Sequence, residues 1–243
     1  MSTNAREPIF NVPPLLAGLV GLLVLIHAVL TYWPSSELWG RTVYALAFVP
    51  ARIGGGAFES WTMWLSYAFL HGDWAHLIFN SLWLLIFGTP VLVRIGALRF
   101  VGIMALSGVG AAALHAWAHP GDISPMVGAS GMISGLTGAA ARFAFAGGRL
   151  ERERVRRLPR LSLIQTLRTP PAMAFTVVWM GANLLLGAGV LDPGTGGRIA
   201  WEAHIGGFLV GFLGFALFDR PNLPAYSELD PVPVSVPEDL TER

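Results

Sequence analysis

The stretch VGASGMISGLTGAAARFAFA, residues 127–146, is apolar, rich in glycine and alanine, and about as long as a helix that crosses a membrane. Gly131, Gly135 and Gly138 recur within it at intervals of three and four residues, which places them on one helix face. A face of small residues lets the backbone of another membrane helix approach closely. The stretch therefore predicts a membrane helix that packs tightly against a neighbouring helix.

A second stretch of the same character, residues 200–218, supplies a partner for the first. Its small residues repeat at the same helical spacing and are Ala203, Gly207, Gly211 and Gly214. Close packing of the two faces predicts that His204 comes within hydrogen-bond reach of Ser130, which lies at a similar depth. Polar side chains inside a membrane are costly and usually functional, and a serine with a histidine is the minimal set for nucleophilic acyl transfer. Taken singly, the serine string also suits plain helix packing, and the histidine also suits a buried imidazole with satisfied hydrogen bonds.

The composition supports a protein embedded in lipid. Of the 243 residues, 53% are hydrophobic and only 13% are charged, whereas a soluble domain usually carries about 25% charged residues. The formal net charge of +1 gives no strong attraction to nucleic acid. The absence of cysteine excludes disulfides, thiolate nucleophiles and cysteine-ligated zinc.

Six segments have the length and apolarity of membrane helices. They are residues 14–33, 74–93, 97–118, 127–146, 171–190 and 200–218. These spans predict an all-α membrane protein with a six-helix core over residues 14–218. A short tail is expected at residues 1–13, and the prolines and acidic residues of residues 219–243 predict a disordered second tail.

The arginines predict the orientation, because the cytoplasmic connections of a membrane protein carry an excess of basic residues. The arginines beside span ends are Arg94 and Arg99 after the second span, Arg149, Arg152, Arg154, Arg156, Arg157, Arg160 and Arg168 after the fourth, and Arg220 after the sixth. Residues 119–126, between the third and fourth spans, contain no arginine, and the connection between the fifth and sixth contains only Arg198. Both termini are therefore predicted to be cytoplasmic, with Ser130 and His204 just inside the outer face.

The long connection at residues 34–73 is then expected outside. Aromatic residues of the kind that concentrate at membrane–water interfaces lie in it and beside it, namely Trp33, Trp39, Trp61, Trp64 and Tyr67. We expect short interfacial helices in this connection.

His76 and Asn80 stand four residues apart in the second span, so both side chains lie on one helix face. An imidazole and an amide at the outer end of this span can donate hydrogen bonds to a developing oxyanion, and one such donor typically contributes about 10²–10³ in rate. The pair also suits two ordinary polar contacts between helices. Asp73 is expected to cap the start of the span, and His71 to support the loop or water beside it.

The remaining polar residues receive structural interpretations. Glu202 lies two residues before the histidine candidate, points to a different face, and is expected to be a loop or interfacial charge. Asn183 is expected to make a hydrogen bond between helices. His27, His115 and His119 have no partner that the sequence identifies, and for His27 we expect a buried neutral imidazole.

Three motifs together resemble the rhomboid family of intramembrane serine proteases over residues 58–218. They are FLHGDWAHLIFN at 69–80, GASG at 128–131 and AHIGG at 203–207. The resemblance implies a Ser130–His204 dyad without an aspartate. It also implies an oxyanion hole made by the backbone N–H of Ser130 with His76 and Asn80.

The same resemblance implies a serine endopeptidase that cleaves transmembrane segments of membrane proteins near the outer face. The fifth span would act as a mobile gate, and no metal or organic cofactor is required. Its implied partners are the lipid bilayer and transmembrane substrates, its implied location is a bacterial cytoplasmic membrane, and it makes no prediction of oligomeric state.

Two positions depart from the family pattern. No arginine follows Trp61 or Trp64, so the tryptophan–arginine pair of the first outside loop is not intact. Ser134 occupies the position where the family often has an aromatic ring stacked on the catalytic histidine. Another group must therefore orient His204.

Two other functions fit parts of the same pattern. A proteolytically inactive rhomboid-like protein would bind transmembrane clients without cutting them. A small transporter would line its path with His76, Asn80 and His204, although paired halves with broken helices, which many transporters have, are not evident in the sequence.

Overall fold

A computed structural model describes residues 12–32, 35–55, 58–146, 152–188 and 199–220. The α-helices of these residues are, in chain order, α1 (Pro14–Tyr32), α2 (Ser36–Leu46), α3 (Phe58–Ser66), α4 (Trp74–Ile95), α5 (Ala97–Ala118), α6 (Ser130–Ala141), α7 (Arg152–Arg157), α8 (Leu163–Arg168), α9 (Pro170–Gly187) and α10 (Trp201–Phe218). Two single-turn 3₁₀ helices, Pro50–Arg52 and Tyr67–Phe69, lie in the connection before α4. The prediction of an all-α bundle is confirmed.

Five helices, α1, α4, α5, α9 and α10, are long and apolar enough to cross a membrane. Their ends lie within a few residues of the predicted spans; α4, for example, continues to Ile95 rather than residue 93. The chain is therefore a multi-pass membrane protein. The connection at residues 34–73 contains the short helices α2 and α3, as expected from its sequence.

Helix α6 is shorter than the predicted span at residues 127–146. Its twelve residues rise about 18 Å, which is less than the roughly 30 Å of a hydrocarbon core. The helix begins only at Ser130 because Gly128 has a φ of +119°, which is incompatible with a right-handed helix. After Ala141 the chain turns, and the Arg142 guanidinium donates to carbonyl oxygens of Leu161 and Phe212. Every residue of α6 after the first is buried, so neighbouring helices rather than lipid surround it.

Close backbone contact joins α6 to α10 through the predicted small-residue faces. A β-carbon on Gly207 would overlap the carbonyl oxygen of Gly131, and one on Gly211 would overlap that of Gly135. Gly214 has open space around its α-carbon and lies outside this contact. Such interpenetration is possible only without side chains, which explains why glycine recurs on both helices.

Helix α5 packs against α6, where a β-carbon on Gly131 would meet the Ala111 side chain, and also against α10. A β-carbon on Gly206 would lie 2.5 Å from the carbonyl oxygen of Gly110, so these two helices also meet backbone to backbone. α5, α6 and α10 thus pack against one another, and the first turns of α6 and α10 are fixed relative to each other. Helix α9 is more peripheral: only Ala172 and Asn183 are buried along its length.

The arginine-rich ends of the helices meet at the opposite end of the bundle from Ser130. The Arg94 guanidinium, at the end of α4, lies 2.9 Å from the Asp219 carboxylate, and both side chains are 2% exposed. Arg94 also donates to the carbonyl oxygens of Val155 and Leu158. The sequence assigns Asp219 to the start of the second tail, whereas its side chain is buried against the core. Residues 1–11 and 221–243, which make up most of the two predicted tails, lie outside the described residues, and so do Trp33 and Arg198.

Candidate active site

Ser130 is the first residue of α6, directly after a tight turn at Gly128. The Gly128 N–H donates to the carbonyl oxygen of Tyr67 at 3.0 Å, and the Tyr67 hydroxyl donates to the carbonyl oxygen of Gly108 at 2.9 Å. These two bonds fix the turn to the 3₁₀ segment before α4 and to α5. The serine is half-buried, so it remains partly accessible.

His204, in the first turns of α10, lies between Ser130 and Asn183. Its Nε2 atom is 2.7 Å from Oγ of Ser130, and its Nδ1 atom is 2.6 Å from Oδ1 of Asn183. The sequence prediction that packing of α6 and α10 brings these two side chains together is thus matched by the structure. The bond is made across 74 positions of the chain.

The hydrogen bonds of Asn183 determine which nitrogen of His204 carries the proton. Asn183 donates from Nδ2 to the carbonyl oxygen of Trp179 at 2.8 Å, so its Oδ1 atom faces the imidazole as an acceptor. His204 must then carry its proton on Nδ1 and present an unprotonated Nε2 to the serine hydroxyl. Asn183 was expected only to bridge helices, and it does so. Its contact with His204 could not be inferred from the sequence, in which the only signal was a single amide in an apolar span.

His76 and Asn80, on one face of α4, lie against the turn that precedes Ser130. A β-carbon on Gly128 would be 2.7 Å from Nε2 of His76 and 3.7 Å from Nδ2 of Asn80. The Asn80 side chain is buried, and its Nδ2 has no hydrogen-bond partner among the described residues. A buried amide donor without an acceptor, aimed at the turn beside a nucleophile candidate, is the arrangement that a transient anion would satisfy.

The loop before α4 holds these two side chains in register. Asp73 caps the helix, because its carboxylate accepts from the backbone N–H of His76 at 2.8 Å, as expected. His71 is buried, and its ring centroid lies 5.1 Å from that of His76. Burial, aided by the neighbouring imidazoles, lowers the pKa of His71 to about 3, so this ring is neutral. His27 of α1 is also buried and lies edge-on to Trp74, with ring centroids 4.7 Å apart.

Glu202 corrects one sequence expectation. It was expected to be a loop or interfacial charge, but it is the second residue of α10 and is 5% exposed. Its carboxylate lies 2.8 Å from Nδ1 of His115 and 2.6 Å from Nε2 of His119. The two histidines for which no partner was identified therefore share one. The four-residue spacing of the pair was the available signal, but the carboxylate comes from a distant part of the chain.

A family model described as the rhomboid domain matches residues 58–220, which include all three motifs and every residue of the site. The chain belongs to the rhomboid family. The resemblance inferred from the three motifs is thus confirmed, and the matched residues 58–220 are nearly the same as the range 58–218 inferred from the sequence.

Several curated proteins are similar to this rhomboid. RHOMBOID-like protein 4 of Arabidopsis thaliana is 34% identical over 165 residues, which cover 68% of this chain and 36% of the relative. RHOMBOID-like protein 5 of the same plant is 29% identical over 68% of this chain and 46% of its own length. Rhomboid protease GlpG of Yersinia pestis is 31% identical over 65% of this chain and 48% of its own length. The chain therefore spans between about a third and a half of the length of these relatives.

The structure shows what surrounds the two positions at which this rhomboid departs from the family pattern. Trp64 packs edge-on against Phe48 with ring centroids 5.2 Å apart, while Trp61 is 74% exposed. At the position of the missing aromatic ring, Ser134 is buried within α6. The Asn183 amide of α9 contacts the His204 imidazole instead.

Proposed function

We propose that this rhomboid is an intramembrane serine endopeptidase that cleaves transmembrane segments of membrane proteins with a Ser130–His204 dyad. The observation that carries the proposal is the 2.7 Å contact between Oγ of Ser130 and Nε2 of His204. The Asn183 contact leaves that nitrogen as the acceptor, so the imidazole is already in the tautomer that a general base needs.

The reaction then follows the acyl-enzyme route. His204 takes the hydroxyl proton on Nε2 as Oγ of Ser130 attacks the scissile carbonyl carbon. The imidazolium that forms keeps its Nδ1 proton on the Asn183 oxygen and gives the Nε2 proton to the leaving amine. Water, with its proton taken by the same nitrogen, hydrolyses the ester and restores the serine. The dyad needs no metal or organic cofactor for these steps.

The oxyanion of the tetrahedral intermediate is held beside Gly128. Donors come from Nδ2 of Asn80, from the imidazole of His76 and from the backbone N–H of Ser130. The N–H groups of a first helical turn have no acceptor within the helix, and the helix dipole favours negative charge there. Each donor of this kind typically contributes about 10²–10³ in rate.

Substrates reach the dyad between α4 and α9. These helices touch through the rings of Phe87 and Phe175, whose centroids are 5.7 Å apart. Because α9 buries only two residues, its displacement disrupts less packing than that of any helix beside α6. A substrate helix must unwind to expose a carbonyl, so glycine or serine near the cut, each a weaker helix former than alanine, favours cleavage.

The cut lies near the outer face of a bacterial cytoplasmic membrane, with both termini cytoplasmic. The N-terminal ends of α4, α6 and α10 carry the site, whereas the C-terminal ends of the same helices meet the arginine-rich segment through Arg94 and Arg142. Arginine concentrates on the cytoplasmic side, which puts Ser130 on the other side.

Labelling with a fluorophosphonate tests the proposal in parallel with cleavage of a transmembrane substrate in liposomes. The wild type and Ser134→Ala, a control that removes another serine of α6, should label and cleave. Ser130→Ala should do neither, and His204→Ala should lose turnover while keeping the fold. Full cleavage by Ser130→Ala would overturn the dyad. A wild type that binds a transmembrane peptide without labelling or cleaving it would instead indicate an inactive rhomboid-like protein.

A further inference from the structure

A second cluster of chemically versatile side chains lies on the side of α10 away from the dyad. It consists of His115, His119 and Glu202, whose candidate ligand atoms all lie within 4.8 Å of one another. One Glu202 oxygen is 2.8 Å from Nδ1 of His115 and 2.6 Å from Nε2 of His119. None of these three groups has a part in the proposed proteolysis.

The backbones of α5 and α10 hold the three side chains of the cluster close together. The N–H of His119 still donates to the carbonyl oxygen of His115 at 2.9 Å, so the two rings share one face at the end of α5. Glu202 reaches them from the first turn of α10, which α5 contacts backbone to backbone at Gly110 and Gly206. Three ligand atoms from two rigid helices therefore converge on one point.

The cluster contains a buried carboxylate. Glu202 is 5% exposed and His115 is 8% exposed. Within the described residues, the side-chain partners of the Glu202 carboxylate are the two imidazoles. A buried carboxylate is costly unless a counter-charge accompanies it. A bound cation would supply that charge.

We propose that Nδ1 of His115, Nε2 of His119 and a carboxylate oxygen of Glu202 bind a divalent transition-metal ion, for which Zn²⁺ is the best match. Two imidazoles and one carboxylate form a recognised zinc ligand set, with water in the fourth position. Hard ions such as Mg²⁺ and Ca²⁺ prefer sites made of oxygen ligands, which this cluster is not.

The present spacing needs only small adjustments to accept the ion. Zinc–ligand distances of about 2.0–2.2 Å place neighbouring ligand atoms about 3.3–3.6 Å apart in a tetrahedral site. The carboxylate therefore moves back slightly from both rings, and the two ring nitrogens, which lie within 4.8 Å of each other, adjust to the same spacing. To bind the ion, each imidazole presents an unprotonated nitrogen and carries its proton on the other ring nitrogen, and the carboxylate is ionised.

The location suggests how the ion arrives and what it does. The His119 side chain is 34% exposed, which opens the cluster to solvent at the end of α5. A bound ion would fasten α5 to the start of α10, two residues before His204. Its effect is to stabilise that junction, and it takes no part in the acyl transfer.

Direct metal binding tests this site without reference to proteolysis. The protein is purified in detergent without a polyhistidine tag, stripped with a chelator, and titrated with Zn²⁺ against a competing chromophoric chelator. The variants are His119→Gln and Glu202→Gln, and the control is His27→Gln, which removes a buried imidazole elsewhere. We expect about one zinc per chain in the wild type and in the control, and binding weakened about tenfold or more in the two cluster variants.

Two further readouts separate a specific site from incidental binding. Co²⁺ should give the intense visible absorption of a tetrahedral site in the wild type and not in His119→Gln. Zinc should raise the thermal unfolding midpoint of the wild type and of His27→Gln only. Zinc binding that is absent from the wild type, or equal in the wild type and His119→Gln, would overturn the proposal and leave the cluster as a hydrogen-bonded clamp. Because no step measures cleavage, failure of the protease proposal would not affect this result.

Discussion

The Asn183 amide fixes the tautomer of His204, and its removal gives the most direct test of that role. Asn183→Ala should lower kcat about 10–100-fold with little change in KM, because the imidazole loses its orientation but the substrate path is unaltered. Thr176→Ala, which removes a hydroxyl bonded within α9 to the carbonyl oxygen of Ala172, is the matched control. The measurement is cleavage of a transmembrane substrate, together with the rate of fluorophosphonate labelling. A variant that labels and cleaves at the wild-type rate would show that Asn183 does not position the histidine.

Gly128 should tolerate no side chain. Alanine there would carry a strained φ of +119° and would place its β-carbon 2.7 Å from the His76 imidazole. Gly121→Ala is the matched control, because Gly121 also has a positive φ but has open space around it. We expect Gly128→Ala to lose activity about 100-fold or more, since the displaced donor belongs to the proposed oxyanion hole, while Gly121→Ala remains active. Equal activity in the two variants would contradict the placement of His76.

The sequence could predict that Ser130 meets His204 and that His76 and Asn80 share one helix face, because each belongs to a short motif whose spacing is visible along the chain. The contact of Asn183 with His204 depends on how α9 docks, which no local pattern records. Glu202 was misinterpreted for a similar reason. A carboxylate near a span end is usually exposed, and only the docking of α5 on α10 buries this one.

The contact between α6 and α10 depends on glycine where the two backbones meet. Gly207→Ala should lower the stability of the bundle by about 1–3 kcal/mol or more, since its β-carbon would overlap a carbonyl oxygen of α6. Gly214→Ala adds the same methyl group on the same helix in open space and should be neutral or slightly stabilising. Thermal unfolding in detergent micelles compares the two variants. If Gly207→Ala and Gly214→Ala had similar unfolding midpoints, the close contact between α6 and α10 would not contribute to stability as predicted.

The length of α6 could not be predicted from hydropathy. An apolar segment indicates that its side chains are buried away from water, but it does not show whether lipid or other helices surround them. The helices that are long enough to cross a membrane matched their predicted spans, whereas α6 is enclosed by other helices and needs no spanning length. Its start, three residues later than predicted, is set by the turn at Gly128, which depends on tertiary contacts with Tyr67 and His76.

The two ends of the bundle differ in chemistry. One end gathers the dyad, the candidate oxyanion donors and the histidine–glutamate cluster. The other end is fastened by Arg94 and Asp219, whose buried ion pair joins α4 to the residue after α10. Removing one member of such a pair is strongly destabilising, because the remaining charge stays buried. The polar groups that could react therefore lie on a bundle that is anchored at its far end.

The polarity of the molecule leads to a prediction about its orientation. The chain contains no cysteine, so single cysteines can be introduced as reporters without background. Ser124→Cys places a thiol on the exposed loop before α6, and Pro159→Cys places one on the exposed loop after α7, at the arginine-rich end. If basic residues hold that end in the cytoplasm, a membrane-impermeant maleimide should label the first variant in bacterial spheroplasts and the second only after lysis. Both variants should retain activity, since neither position contacts the site. Labelling of Pro159→Cys in sealed spheroplasts, with Ser124→Cys protected, would reverse the topology and place the dyad near the cytoplasmic face.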